Sequence, residues 1–208
     1  MILISVAMED ECYILKDLLG LEEVGDNEFA GGDFALICTG VGKVNAAMGT
    51  QYGIDKYKPE MIINYGFVGS MSEEYKVGDF VFPQMTLQHD FDLTPLGYPP
   101  FTVQGQSKST FKIKGYDELK EVIHDLKKCK YLLTGDRFMT DKLPGFEDVI
   151  CDMEGYAVAR VAHKAKIPCY MVKMVSDSCN KEGADRFAVS VDEFKRELQN
   201  YVFGFVCK

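Results

Sequence analysis

The chain has 208 residues, 47% of them hydrophobic, so it can bury a sizeable core and its composition does not argue for disorder. Its 32 acidic against 23 basic residues leave a formal charge of −9, the wrong sign for gripping a nucleic-acid backbone or an anionic membrane surface. Seven cysteines are scattered without a Cys-x-x-Cys pair, which reads as buried thiols in a reducing compartment.

The N-terminal "MILISVAM" has no basic leader and no small-residue cleavage site, and no apolar run approaches the ~20 residues of a membrane span. A cytoplasmic protein is expected. This same run predicts the first strand, followed by a helix over Asp10 to Leu19. "FALICTG" is the second strand, Lys43 to Tyr57 a long helix, and "MIINYGFVG" and "GDFVFP" the next two strands. Residues 84–114 then break the rhythm, because "TPLGYPPFTVQGQS" is rich in Pro, Gly, Ser and Thr and has no helical period. A long functional loop is one reading of that excursion and a plain surface insert the other. Beyond it come a helix over Tyr116 to Lys127, strands at "KYLLTG" and "DVICDM", a helix over Glu154 to Ala165, a strand at "PCYMVKMVSD" and a helix over Val191 to Val206.

Strands that are apolar throughout and alternate with helices predict an α/β fold: one domain over residues 1–208, with a mixed, largely parallel twisted sheet flanked by helices. Ligands of such sheets gather beyond the carboxyl ends of the strands. Carboxylates and glycines dominate those positions here: Glu9, Asp10 and Glu11 after the first strand, "TGVGK" after the second, "YGFVGS" in the third, Asp152, Met153 and Glu154 after "VIC", and Ser176 and Asp177 after "YMVKMV".

Other chemistries fit less well. "TGVGKVNAA" lacks the spacing and the hydroxyl residue of a P-loop. His89, His124 and His163 are far apart and have no partners at ligand spacing, so no metal is expected. There is no G-x-S-x-G elbow for a serine nucleophile. A single acid at a helix start is ordinarily a cap or a dipole interaction. Three of them, Glu11, Glu154 and Asp177, at strand ends of one sheet suggest a shared task, and Glu154 heads a helix whose face of Ala157, Val158, Val161, Ala162 and Ala165 would hold it rigidly.

The ordered set "AMEDE", "TGVGKVNAA", "INYGFVGS", "KVGD", "HDFDLTPLGY", "TGDRFM", "DMEGYAVARVAHKAKIP" and "VKMVSD" resembles the purine nucleoside phosphorylase and uridine phosphorylase superfamily. It is most similar to the hydrolytic branch, the methylthioadenosine/S-adenosylhomocysteine nucleosidases. The resemblance runs from Met1 to about Phe194. It implies cleavage of the N-glycosidic bond of a purine nucleoside by water, with no metal and no organic cofactor. Glu11 would then position and deprotonate the water, and Glu154 would accept the ribose 2′- and 3′-hydroxyls with Met153 packed on the sugar. Asp177, held by Ser176, would protonate purine N7, and Phe138 and Met139 would cover the base.

Phe67 stands where nucleosidases usually present a small hydroxyl residue, and Lys173 where arginine is frequent; both are expected at the substrate. Asp152 replaces a common Glu. The resemblance also implies a homodimer, with Leu96 and Tyr98 of "DLTPLGYPP" reaching a neighbouring subunit. A phosphorylase would want arginine for its oxyanion, yet Arg137, Arg160, Arg186 and Arg196 all lie outside the "TGVGK" and "NYGFVGS" turns. Water is therefore the expected nucleophile, and the alternatives are a phosphate-dependent phosphorylase or a nucleoside-binding relative without catalysis.

Overall fold

The computed structural model describes residues 1–103 and 110–208. The chain opens with β1 (Ile2–Val6), a 3-10 turn (Glu9–Glu11) and α1 (Tyr13–Leu18). It continues with β2 (Glu22–Gly25), β3 (Glu28–Gly31), β4 (Phe34–Cys38), α2 (Lys43–Tyr57), β5 (Met61–Ser70) and β6 (Phe80–Gln88). After β7 (Thr110–Lys112) come α3 (Tyr116–Lys120), β8 (Lys127–Thr134), β9 (Val149–Asp152), α4 (Gly155–Ala165), β10 (Cys169–Asp177) and α5 (Gly183–Val206). The α/β expectation holds.

The sheet runs β10-β6-β8-β9-β5-β1-β4-β3-β2, with β7 beside β6. Because β10 also pairs with β5, the five strands β5, β9, β8, β6 and β10 close on themselves as a small barrel. The parallel pairs β4-β1-β5-β10 form its extension and one wall. β5 is the centre of the sheet: nine of its ten residues are buried, and apart from Asn64 they are apolar, aromatic or small, as in a strand covered on both faces.

Three expectations need correction. Residues 84–88 do not belong to the excursion but complete β6, which pairs with β8 through Gln88↔Thr134. The remainder holds one short 3-10 turn at Thr94–Leu96 and β7, while residues 104–109 lie outside the described residues. The helix expected over Tyr116 to Lys127 stops at Lys120. Its apolar spacing is genuine, since Leu119, Ile123 and Leu126 are all buried, but from Val122 on it is carried by separate turns, Val122 and Ile123 N–H to the Leu119 carbonyl and Leu126 N–H to that of Ile123, that deliver the chain into β8. Finally, α5 begins at Gly183 rather than Val191.

The helix that follows Glu154 seats one side of the site. α4 buries Tyr156, Ala157, Val158, Ala159 and Ala162, and burial of each larger apolar side chain stabilises by about 1.5–3 kcal/mol. Of the residues expected on that face, Val161 is half-buried and Ala165 exposed. The helix ends where Lys166 takes a left-handed conformation (φ 63°). No helix among the described residues is long and apolar enough to cross a membrane.

Candidate active site

The ends of β1, β5, β9 and β10 meet at a cavity of about 190 Å³, and Glu11, Phe67, Phe138, Met139, Met153, Glu154, Ser176 and Asp177 all line it. Glu11, more than a hundred residues before Glu154 and Asp177 in the chain, thus faces one space with them, and each acid has its own set of partners.

Glu11 sits at the end of the 3-10 turn after β1 and is buried. Its Oε2 accepts the backbone N–H groups of Ala7 and Met8, both at 3.1 Å, and its Oε1 accepts that of Phe67 at 3.0 Å. Close approach of β5 makes this possible: Gly66 has φ +156°, and a Cβ there would lie 2.5 Å from Glu11 Oε1. The glycine of "YGFVGS" is therefore fixed by the carboxylate it faces. Burial pushes the Glu11 pKa up, while Lys173 and the three N–H donors pull it down without cancelling the rise.

Asp177 ends β10 and is likewise buried. Oδ1 accepts Cys179 N–H at 2.9 Å, and Oδ2 lies 3.0 Å from Ser176 Oγ, which is also 3.1 Å from the Val68 carbonyl. Desolvation raises the Asp177 pKa, against the lowering effect of those two donors. Gly69 leaves the room this arrangement needs, since a Cβ at that position would stand 2.5 Å from Cys179 Sγ and 3.0 Å from Asp177 Oδ1.

Glu154 precedes α4. Its Oε1 accepts Gly42 N–H at 2.8 Å, at the head of α2, where Gly42 takes φ 97°. Burial first, and the neighbouring Asp152 second, push its pKa up to about 8, opposed by the Gly42 N–H. The folded state thus keeps a proton that the unfolded chain releases from its ordinary value of 4.5 upward, so stability falls as pH rises from there to about 8 and levels off above. Glu154→Gln abolishes that titration. In thermal melts the variant should match wild type near pH 5 and melt well above it at pH 9; parallel melting curves across that range would contradict the assignment.

Lys173 requires a correction. It was expected at the substrate, but it is buried, does not line the cavity, and pairs with Asp152 Oδ2 at 3.0 Å. Asp152 in turn accepts Thr134 Oγ1 (2.6 Å), Glu154 N–H (3.3 Å) and Gly155 N–H (2.9 Å). A buried charge needs a partner and full hydrogen bonding, and Asp152 provides the partner for Lys173. The pair therefore works beneath the site, fixing the backbone that carries Glu154. Lys43 is engaged in the same way, by Asp90 and, at 3.5 Å, by Asp136.

Phe67 takes its place in the cavity wall, 7% exposed, with its backbone N–H on Glu11. Leu96 and Tyr98 are exposed and do not line the cavity. His89 also lies outside it; its Nε2 is buried without a hydrogen-bond partner among the described residues, packed against Gly135, and burial lowers its pKa. Among the described residues no group of three or more His, Cys, Asp or Glu could hold a metal ion. Sequence reading missed Phe187, which reaches the cavity from α5 and meets the Phe138 ring edge to face (5.7 Å, 78°). It also missed Cys151, whose Sγ lies 3.1 Å from that of Cys179.

This geometry has relatives. The sequence model of the phosphorylase superfamily matches residues 2–207. A 5′-methylthioadenosine/S-adenosylhomocysteine nucleosidase from Hydrogenovibrio crunogenus is 34% identical, over 90% of this chain and 89% of its own. The protein of that name from Bacillus cereus is 32% identical over 97% and 94%. Among solved structures, the Neisseria meningitidis 5′-methylthioadenosine/S-adenosylhomocysteine nucleosidase in complex with methylthio-immucillin-A superposes with a TM-score of 0.89 at 25% identity, covering 99% of this chain and 97% of that one. The match runs nearly end to end and a third of the aligned positions are shared, so the chain belongs to the phosphorylase superfamily, alongside its methylthioadenosine/S-adenosylhomocysteine nucleosidases.

Proposed function

We propose that the chain hydrolyses the N-glycosidic bond of a purine nucleoside of the methylthioadenosine or S-adenosylhomocysteine type and releases the base. The observation that carries this reading is the convergence of Glu11, Glu154 and Asp177 on one small cavity. Glycosidic cleavage passes through an oxocarbenium-like sugar, so it needs a proton for the leaving base, a base for the water, and negative charge near the developing cation.

Glu11 is the general base. Two carboxylate oxygens offer about four acceptor positions, three are taken by backbone N–H groups, and the fourth is left for the water. As that water's oxygen bonds to C1′, its proton passes to Glu11 and the C1′–N9 electron pair goes to the purine. Asp177 is the general acid toward purine N7, and its raised pKa favours the protonated form the step requires.

Ser176 serves Asp177 in both states, because a hydroxyl carries one hydrogen and two acceptor sites. It donates to the carboxylate, or it accepts the carboxylic proton while donating to the Val68 carbonyl. Glu154, oriented by Gly42 N–H, accepts the ribose 2′- and 3′-hydroxyls; those donors and the developing cation pull its raised pKa back down, so that charge stands beside the sugar as the bond breaks. Met153 packs on the ribose, Phe138 and Met139 cover the base with Phe187 behind them, and the Phe67 ring narrows the sugar end.

Water is favoured over phosphate because the cations around the cavity are already matched. Among the described residues that line it, Arg137 is the one basic side chain and pairs with Asp141 at 3.2 Å; Lys43 and Lys173 have the carboxylates named above. The test is a panel of adenosine, inosine, methylthioadenosine, S-adenosylhomocysteine and a 5′-carboxylated nucleoside, each with and without phosphate, followed for free base. Release of adenine from the thio-nucleosides without phosphate is expected. A strict phosphate requirement would make the protein a phosphorylase, and binding without release would make it a carrier.

The protein acts as a homodimer in the reducing cytoplasm. Supporting the first is a stripe of exposed apolar side chains at four-residue spacing along α2, Val44, Met48 and Tyr52, beginning beside Val41 of the cavity wall. Supporting the second, its cysteines are free. Met48→Glu should convert a dimer to a monomer in light-scattering chromatography; an unchanged mass would place the interface elsewhere.

A further inference from the structure

The turn that carries Glu11 is held from outside the cavity by one fully buried side chain, Gln199 of α5. Its Oε1 accepts Leu15 N–H at 2.8 Å and its Nε2 donates to the Asp10 carbonyl at 2.7 Å. The second Nε2 hydrogen goes to the Lys195 carbonyl, one turn back on its own helix. Leu15 N–H is one of the orphan donors at the start of α1, and Cys12, the residue in the cap position, makes no side-chain cap bond there. Gln199 supplies that cap from 184 residues away. On the other side of the turn, the buried Tyr65 of β5 donates its hydroxyl to the Glu11 carbonyl itself.

The two contacts of Gln199 lie on either side of Glu11 in the chain, and Tyr65 holds Glu11's own peptide. Nothing in the function proposed above uses either residue, neither lines the cavity, and a buried polar side chain with this many matched partners is costly to dispense with. We infer that Gln199, together with Tyr65, is a positioning residue for the reaction: it fixes the turn so that the Glu11 carboxylate reaches the N–H groups of Ala7, Met8 and Phe67 and faces the water site. The inference rests on the reading of Glu11 as general base. Ser190, also on α5, makes the corresponding contact at the far side of the site, donating to the Ser176 carbonyl at 2.7 Å, so one helix braces both reacting segments.

The test compares Gln199→Met, which keeps the length and apolar bulk but removes both contacts, with Tyr65→Phe, which removes a hydroxyl alone. Displacing a reacting group by about 1 Å costs up to ~100-fold in rate. Gln199→Met should therefore lower kcat about 10–100-fold with KM within about twofold of wild type, and Tyr65→Phe should do the same to a smaller extent. In both, the acidic limb of the kcat/KM profile should move to higher pH, since a carboxylate that loses N–H donors holds its proton more tightly. Besides Tyr65 itself, the groups that face Glu11 are Lys173 on β10, Glu154 ahead of α4 and the Cys38 thiol; those three are left in place. Ser190→Ala should leave the acidic limb where it is.

A lower melting temperature with kcat and the acidic limb unchanged would reduce Gln199 to a structural role and overturn the inference. If Gln199→Met does not fold, Tyr65→Phe decides by the same two readouts. Glu11→Gln, assayed beside them, separates the two levels: full activity in that variant removes the general-base reading itself, whereas an inactive Glu11→Gln with wild-type kinetics in the other two removes only the positioning role.

Discussion

Asp177→Asn is expected to fold as the wild type does and to lose turnover by about 10²–10⁴-fold, with KM little changed. The fold survives because every contact can be kept. The amide oxygen accepts Cys179 N–H as Oδ1 does, and the amide nitrogen donates to Ser176 Oγ, whose hydrogen then turns to the Val68 carbonyl. The new nitrogen can still donate toward N7, so the nucleoside binds. What it cannot do is transfer a proton, and the departing purine must leave as an anion. Steady-state kinetics with a melting curve of the same preparation check this. Turnover within tenfold of wild type would remove Asp177 from the chemistry.

Glu11→Gln is expected to cost a further kind of stabilisation besides its activity. The two carboxylate oxygens face N–H donors on both sides, whereas an amide has one oxygen. Whichever way it turns, an NH2 group confronts either Phe67 N–H or the pair from Ala7 and Met8. A buried donor left unmatched costs about 1–3 kcal/mol, which lowers the melting temperature by several degrees in a chain of this size, at about 2–4 °C per kcal/mol. Turnover should fall by about 10³-fold or more as the base disappears. Activity lost with no change in melting temperature would mean that the three N–H bonds contribute little to the fold, and retained activity would mean that another group accepts the water's proton.

The two variants bear on how much could be read beforehand. Glu11, Glu154 and Asp177 were legible because each follows an apolar run in a chain whose strands alternate with helices, and strand ends are where such sheets bind ligands. The glycines were visible, but their reasons were not: Gly66 and Gly69 answer to atoms of Glu11, Cys179 and Asp177, which only the fold brings near. Lys173 was misplaced for a related cause. Its position on an apolar strand gave no sign that Asp152, two residues before Glu154, would take up its charge.

The closure of β5, β9, β8, β6 and β10 into a ring escaped the sequence because it depends on which strand pairs with which, as in Lys173↔Val81, and local pattern does not specify that. The β2–β3 hairpin escaped for a different reason. β2 is mostly exposed and carries no apolar alternation, and its turn is marked only by Asn27 in a left-handed conformation (φ 54°). Phe187 and Gln199 lie on α5, where a helical period tells which face is buried but not which catalytic segment lies against it.

One measurement bears most directly on the convergence of three acids upon a water-mediated cleavage. Methylthioadenosine is turned over in phosphate-free buffer made with H₂¹⁸O, and the released sugar is reduced at once to fix its C1 oxygen and then weighed. The expected result is free adenine in step with a sugar carrying one ¹⁸O at C1. Adenine release that waits for added phosphate, with the sugar recovered as its 1-phosphate, would contradict it.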